Sequence, residues 1–122
     1  MLKKKLISEF IGTYFLIFAG TGAIVIDTLT KSLTHAGIAA TSGLVVMAMI
    51  FTFGHISGAQ FNPAVTIGFW IRKDINNKEA ISYILIQIIA GFCDSGTVLM
   101  LFGNISDLGA TLPRGSWVNH LF

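Results

Sequence analysis

Long apolar runs separated by short polar stretches set the pattern of this chain. Three of them, residues 6–26, 37–53 and 81–102, carry almost no charged side chains. A helix crosses a hydrocarbon core of roughly 30 Å with about 20 apolar residues, and each run has about that length. The pattern therefore predicts an all-α membrane protein with three transmembrane helices.

The apolar stretch that contains the second span is too long for a single helix. It extends from Ala36 to Ile71, which as one continuous helix would measure about 54 Å. Two glycines and a proline interrupt it between Gly54 and Pro63. The remaining residues, 63–71, give about 13.5 Å of helix, which reaches only halfway across the core. We therefore expect a re-entrant half-helix at this position.

Composition agrees with a chain that lies in lipid. Hydrophobic residues make up 53% and charged residues 11%, against about 25% charged in a soluble domain. The net charge of +2 is small, and the basic residues are not interleaved with aromatics, so nucleic-acid binding is not expected. No nucleophile and base pair or metal-ligand cluster is visible, and the sequence predicts neither an enzyme nor a cofactor.

The distribution of Lys and Arg predicts the orientation in the membrane. The side with the N-terminus and the turn at residues 72–78 holds six of these residues: Lys3, Lys4, Lys5, Arg72, Lys73 and Lys78. The opposite side holds Lys31 and Arg114. Since cytoplasmic loops carry the excess of Lys and Arg, we expect a cytoplasmic N-terminus, an external loop at residues 103–122, and a place in the inner or plasma membrane.

The break in the second apolar stretch carries the most informative chemistry. Irregular backbone is tolerated at membrane depth only where protein covers it or it lines a water-filled cavity. Asn62 is a favoured N-cap, and Pro63 suits the first helical position. With its oxygen used in capping, the Asn62 side chain keeps an NH₂ group that can donate to a solute. The carbonyls of residues 58–61, Gly58, Ala59, Gln60 and Phe61, could supply a ladder of acceptors. The alternative is that Asn62 and Pro63 simply start a buried helix.

The stretch from Gly54 to Thr66, GHISGAQFNPAVT, resembles the first Asn-Pro-Ala box of the aquaporin and glycerol-facilitator family, the major intrinsic proteins. The box is Asn62, Pro63 and Ala64. Residues 9–13, EFIGT, resemble the family's first-span signature, and residues 108–113, LGATLP, resemble the external loop of its bacterial members. The resemblance thus covers nearly the whole chain.

The resemblance implies a fold of six spans and two half-helices, arranged as two inverted repeats. Residues 1–122 supply one repeat, the N-terminal half, without a second Asn-Pro-Ala box or the filter arginine that follows it. The implied function is a passive channel for water or small neutral solutes that needs a second half to conduct, and the family's tetramer suggests a homo-oligomer. The alternatives are a membrane-inserted fragment that conducts nothing and, more distantly, a proton-coupled carrier.

Four single residues are interpreted individually, and for three of them more than one interpretation is open. Glu9 either extends its carboxylate to the interface or turns inward and holds the re-entrant backbone, as the family implies. His55 is either a loop histidine or a pore residue on the cytoplasmic side. Ser42, twenty residues before Asn62, falls where the family places an aromatic filter residue, and a serine there predicts a wider constriction. Asp94 is unexpected in a span and is interpreted as an interhelical contact or sequence drift, or else as the group that a carrier would use.

Overall fold

Four α-helices make up the described part of the chain, residues 1–103 of this computed structural model. The helices are α1 at Leu2–Thr30, α2 at Thr34–Ser57, α3 at Pro63–Ile71 and α4 at Asn77–Phe102. Within residues 1–103 there is no strand, and α1, α2 and α4 are long and apolar enough to cross a membrane. The predicted fold class is confirmed. The predicted loop after Gly103, with its LGATLP segment, lies outside the described residues.

The helix ends are set by polar groups that the apolar pattern does not contain. At the end of α1, Lys31 adopts a left-handed φ of 53° and its N–H donates to the Asp27 carbonyl at 2.7 Å. The Asp27 carboxylate accepts from the N–H groups of Leu33 and Thr34 at 3.0 and 2.8 Å. One side chain thus supplies the cap that the start of α2 lacks, because the free N–H groups there need acceptors.

Helix α2 continues four residues past the end predicted for the second span. Gly54 begins the predicted break, yet the helix runs through it and stops only at Gly58, which has a φ of 87°. A glycine inside a helix weakens it but does not end it, whereas a left-handed residue does. The irregular segment is therefore only residues 58–62.

Helix α1 is the centre of the packing. It contacts α2 on one side and α4 on the other, while α3 packs against α4. Helices α1 and α4 run parallel, since Lys5 contacts Glu79 near their N-termini and Tyr14 donates to Thr97 further along, at 2.7 Å. The C-terminal end of α4 therefore lies on the side opposite the N-terminus of the chain.

The side chains inside the helix bundle are mostly small or polar, and large apolar side chains face outward. Fully buried polar residues include Glu9, Gln87 and Asp94, while Phe51, Phe92 and Met100 are at least 75% exposed. This is the reverse of a water-soluble protein. In a bilayer the lipid tails solvate the apolar surface, and polar or small groups hold helices together.

Candidate functional site

The segment between α2 and α3 has a tightly turned backbone. Gly58, Ala59 and Phe61 have φ angles of 87°, 51° and 52°. Glycine adopts this left-handed region freely, but for other residues it costs about 1–2 kcal/mol. Ala59 and Phe61 therefore require contacts from the rest of the protein to keep this path.

The Ala59 N–H donates to the Ser57 hydroxyl at 3.2 Å, and the contact to Phe61 comes from Glu9, which is fully buried on α1. One carboxylate oxygen, Oε1, accepts from the Phe61 N–H at 2.8 Å and the Gln87 amide at 2.9 Å. The other, Oε2, accepts from the Ser57 hydroxyl at 2.6 Å and the Gln60 N–H at 3.2 Å. Four donors surround this carboxylate, so its charge is stabilised by hydrogen bonds in place of water. Glu9 thereby joins α1, the irregular segment and α4.

A further set of hydrogen bonds extends from this carboxylate to α3 and α4. Gln87 also donates to the Thr66 hydroxyl at 3.0 Å, and that hydroxyl donates to the Gln60 side-chain oxygen at 2.7 Å. Tyr83 donates to the Ser57 carbonyl at 2.8 Å. Both sides of the break are thus tied to the same buried cluster.

The sequence alone predicts no individual role for four residues of this cluster, Ser57, Thr66, Tyr83 and Gln87. The available signal was the spacing of Tyr83 and Gln87, which lie four residues apart in an otherwise apolar span. Residues at that spacing share one helix face. Two polar groups on one face of a membrane helix point to a protein-facing surface.

Asn62 lies at the exposed end of the break, with an extended backbone. Its side-chain oxygen accepts from the Ala64 N–H at 2.8 Å and caps α3, and Pro63 is the first helical residue. Among residues 1–103, the Asn62 NH₂ group has no hydrogen-bond partner, and the carbonyls of residues 58–61 accept no hydrogen bond. One free donor group and four free carbonyl acceptors thus belong to five consecutive residues of the described part of the chain.

Phe61 anchors the middle of the segment against α1. Its side chain is 4% exposed, and its ring lies directly over Gly12, where a Cβ atom would collide with it. Gly12 is the residue that lets the ring approach the helix backbone this closely.

Ser42 and His55 lie away from the Glu9 cluster. The Ser42 hydroxyl is half-buried and lies 3.5 Å from the place a Cβ would take on Gly20, so it faces α1. Along α2 it precedes Gly58 by about 24 Å. His55 is exposed in the last turn of α2.

Asp94 is buried between α4 and α1, away from the break. Its Oδ2 accepts from the Thr21 hydroxyl at 3.4 Å, and its Oδ1 has no partner among the described residues. No Lys, Arg or His of residues 1–103 pairs with it. The structure therefore places Asp94 in an interhelical contact, outside the Glu9 cluster.

A short helix that begins with a capped, exposed polar turn between long apolar helices is typical of membrane proteins with a discontinuous helix. Channels and transporters of this class build their solute path at that helix. The chain belongs to the major intrinsic protein family, whose sequence model matches residues 1–119.

Plant proteins of this family show the similarity in detail. "Probable aquaporin NIP-type" of Nicotiana alata is 47% identical over 102 residues, 84% of this chain and 38% of that protein. "Aquaporin NIP1-1" of Zea mays is 42% identical over 120 residues, 97% and 43%. "Nodulin-26" of Glycine max is 40% identical over 115 residues, 93% and 42%. The chain spans about two-fifths of the length of these relatives. Because they are plant proteins, they do not support the prediction of a bacterial-type member.

Proposed function

We propose that this chain supplies one repeat of a passive channel for water or small neutral solutes, and that it conducts only together with a second repeat. The observation that carries the proposal is the turn at residues 58–62, whose four carbonyls at residues 58–61 and Asn62 amide have no hydrogen-bond partner within residues 1–103. Relatives named as aquaporins support it, and an enzymatic function is not proposed.

The chemistry of this turn suits a neutral hydrogen-bonding solute. A water or alcohol oxygen can accept from the Asn62 amide while its proton is donated to a backbone carbonyl. The N-terminus of α3 adds a partial positive charge, which opposes the passage of cations. Pro63 and Ala64 place no charged side chain beside this end.

The exposed surface around the turn supports the need for a second repeat. Asn62 and Gly58 are exposed, and Ser57 is the only buried residue of α2. Unpaired backbone groups are tolerated at membrane depth only beside protein or water. A second half-helix facing Asn62 would cover the turn and enclose a path. Assembly of completed channels into oligomers belongs to the same proposal, as does a filter position for Ser42 that admits solutes larger than water.

Vesicle light scattering tests the proposal with a matched pair of variants. The chain is reconstituted alone and together with the C-terminal half of the Zea mays relative. We expect shrinkage faster than that of empty vesicles only when both halves are present. Asn62→Asp is expected to abolish it, because aspartate still caps the helix but removes the donor and adds a negative charge. Asn76→Asp is the control, since Asn76 caps α4 in the same way, accepting from the Glu79 N–H at 2.8 Å.

Other results would contradict defined parts of the proposal. Fast shrinkage with the chain alone, lost in Asn62→Asp, would show that no second repeat is needed. No shrinkage with both halves present, when both have inserted, would leave the chain as a non-conducting fragment. Equal losses of permeability in Asn62→Asp and Asn76→Asp would show that the Asn62 amide is not part of the solute path.

We further propose that the N-terminus is cytoplasmic, in the inner or plasma membrane. The Lys and Arg excess beside the N-terminus supports this orientation. Two reporters fused after Phe122 test it. An enzyme that is active only outside the cytoplasm is expected to be active, and a protein that fluoresces only in the cytoplasm is expected to give no signal. A cytoplasmic signal from most molecules would contradict the orientation.

A further inference from the structure

Two grooves adjoin at the end of the protein where α1 and α4 begin. The larger, of about 400 Å³, is almost entirely apolar and lies between α1 and Ile86 of α4. It is lined by Leu2, Lys3, Leu6, Ile7, Phe10 and Ile86. Ile7 is 50% exposed, so the groove is open to the surroundings of the helices.

The smaller groove, of about 220 Å³, is about half polar and shares Leu2 with the first. Its lining is Met1, Leu2, Lys5, Asn76, Lys78 and Glu79. The apolar groove along the helices thus continues into a more polar recess at the N-terminal ends of α1 and α4. An apolar groove beside a polar recess matches the acyl chain and the headgroup of a phospholipid.

The charges at the polar recess favour an anion. Lys5 and Glu79 pair at 3.2 Å and neutralise each other. Lys3, Lys4 and Lys78 are exposed and form no ion pair within residues 1–103. Lys3 belongs to the apolar groove, where a lysine can lay its methylene chain along the surface and place its ammonium group at the boundary with water.

We propose that the two grooves together bind one anionic phospholipid. An acyl chain lies in the apolar groove beside Ile7 and Phe10, and the phosphate lies near the ammonium groups of Lys3 and Lys78. Basic clusters at the cytoplasmic end of membrane helices attract anionic lipids, and the grooves give this attraction a defined place. The proposal is independent of conduction, because binding is measured without a solute path.

Native mass spectrometry of the full chain, titrated with phosphatidylglycerol or phosphatidylcholine, tests the headgroup. We expect phosphatidylglycerol to bind about tenfold more tightly. The double variant Lys3→Gln and Lys78→Gln is expected to lose this preference. The control is Lys31→Gln with Lys73→Gln, which removes the same charge from exposed positions outside both grooves and should change the affinity less than about twofold. Equal affinity for both lipids, or equal losses in both double variants, would overturn the proposal.

A third variant tests the acyl-chain groove. Ile7→Trp places a larger side chain in the open groove and is expected to weaken binding of both lipids about threefold or more, by filling space that a chain would occupy. Unchanged lipid affinity would overturn the proposal. A change in oligomeric state with unchanged lipid affinity would further show that the groove receives a second copy of the chain.

Discussion

Replacing Glu9 by glutamine is expected to lower the free energy of unfolding by about 2–4 kcal/mol. The carboxylate accepts four hydrogen bonds in a fully buried position. A glutamine side chain has a single oxygen, so its NH₂ group must face two of the four donors. The Ser57 hydroxyl can reverse its role and accept, but the Gln60 N–H cannot. At least one buried donor then loses its partner, and the remaining bonds lose the strength that the negative charge gave them.

The control for Glu9→Gln is Glu79→Gln, the same change on a carboxylate near the end of the bundle. Glu79 pairs with Lys5 at 3.2 Å, and the two side chains are 17% and 38% exposed. Solvent-exposed ion pairs contribute about 0.2–1 kcal/mol, and this half-buried pair is expected at the upper end of that range. Thermal unfolding of both variants in detergent, followed by circular dichroism, makes the comparison. Equal and small changes would show that the four hydrogen bonds to Glu9 do not hold the break.

The fold was largely predictable because membrane spans depend on length and polarity alone. A charge-free stretch from Ala36 to Ile71, too long for one helix, required a break, and Asn62 with Pro63 fixed the start of α3. The helix ends were less predictable. Asp27 caps the following helix from six and seven residues away, and Gly58 ends α2 by its backbone conformation, which the apolar pattern does not encode.

Apart from Glu9, whose inward orientation the family resemblance implied, the candidate site was predictable only where a residue has a local role. Asn62 caps the helix that it begins, so its position could be read from adjacent residues. Thr66, Tyr83 and Gln87 act through contacts across three elements, which a single sequence does not display. A polar residue in a span indicates a protein-facing surface, but Gln87 and Asp94 look alike in this respect. Only the structure distinguishes them, since Gln87 joins the Glu9 cluster and Asp94 contacts Thr21.

Replacing Gly12 by alanine is expected to lower the free energy of unfolding by about 1–3 kcal/mol. A Cβ at this position would collide with the Phe61 ring. The ring cannot move away freely, because it is buried and the Phe61 N–H is held by Glu9 at 2.8 Å. The expected cost therefore comes from displacing the ring or the backbone of the break. Gly43→Ala is the control, since among residues 1–103 no atom apart from the adjacent backbone of α2 lies within 4 Å of the place that a Cβ would take there. It should stabilise the helix by about 0.5–1 kcal/mol.

A double-mutant cycle with Phe61→Ala separates the collision from other effects of the Gly12 change. Phe61→Ala alone is expected to cost about 3–5 kcal/mol, because it removes a buried ring. In that background Gly12→Ala has no ring to displace, so its cost should vanish and leave the small gain of alanine over glycine in a helix. The expected coupling is about 1.5–4 kcal/mol, the cost of the collision plus the gain that remains without the ring, which is at the upper end for residues in contact. If Gly12→Ala costs the same with and without the ring, the contact does not fix the break, and the left-handed conformation of Phe61 must be held by the Glu9 hydrogen bonds alone.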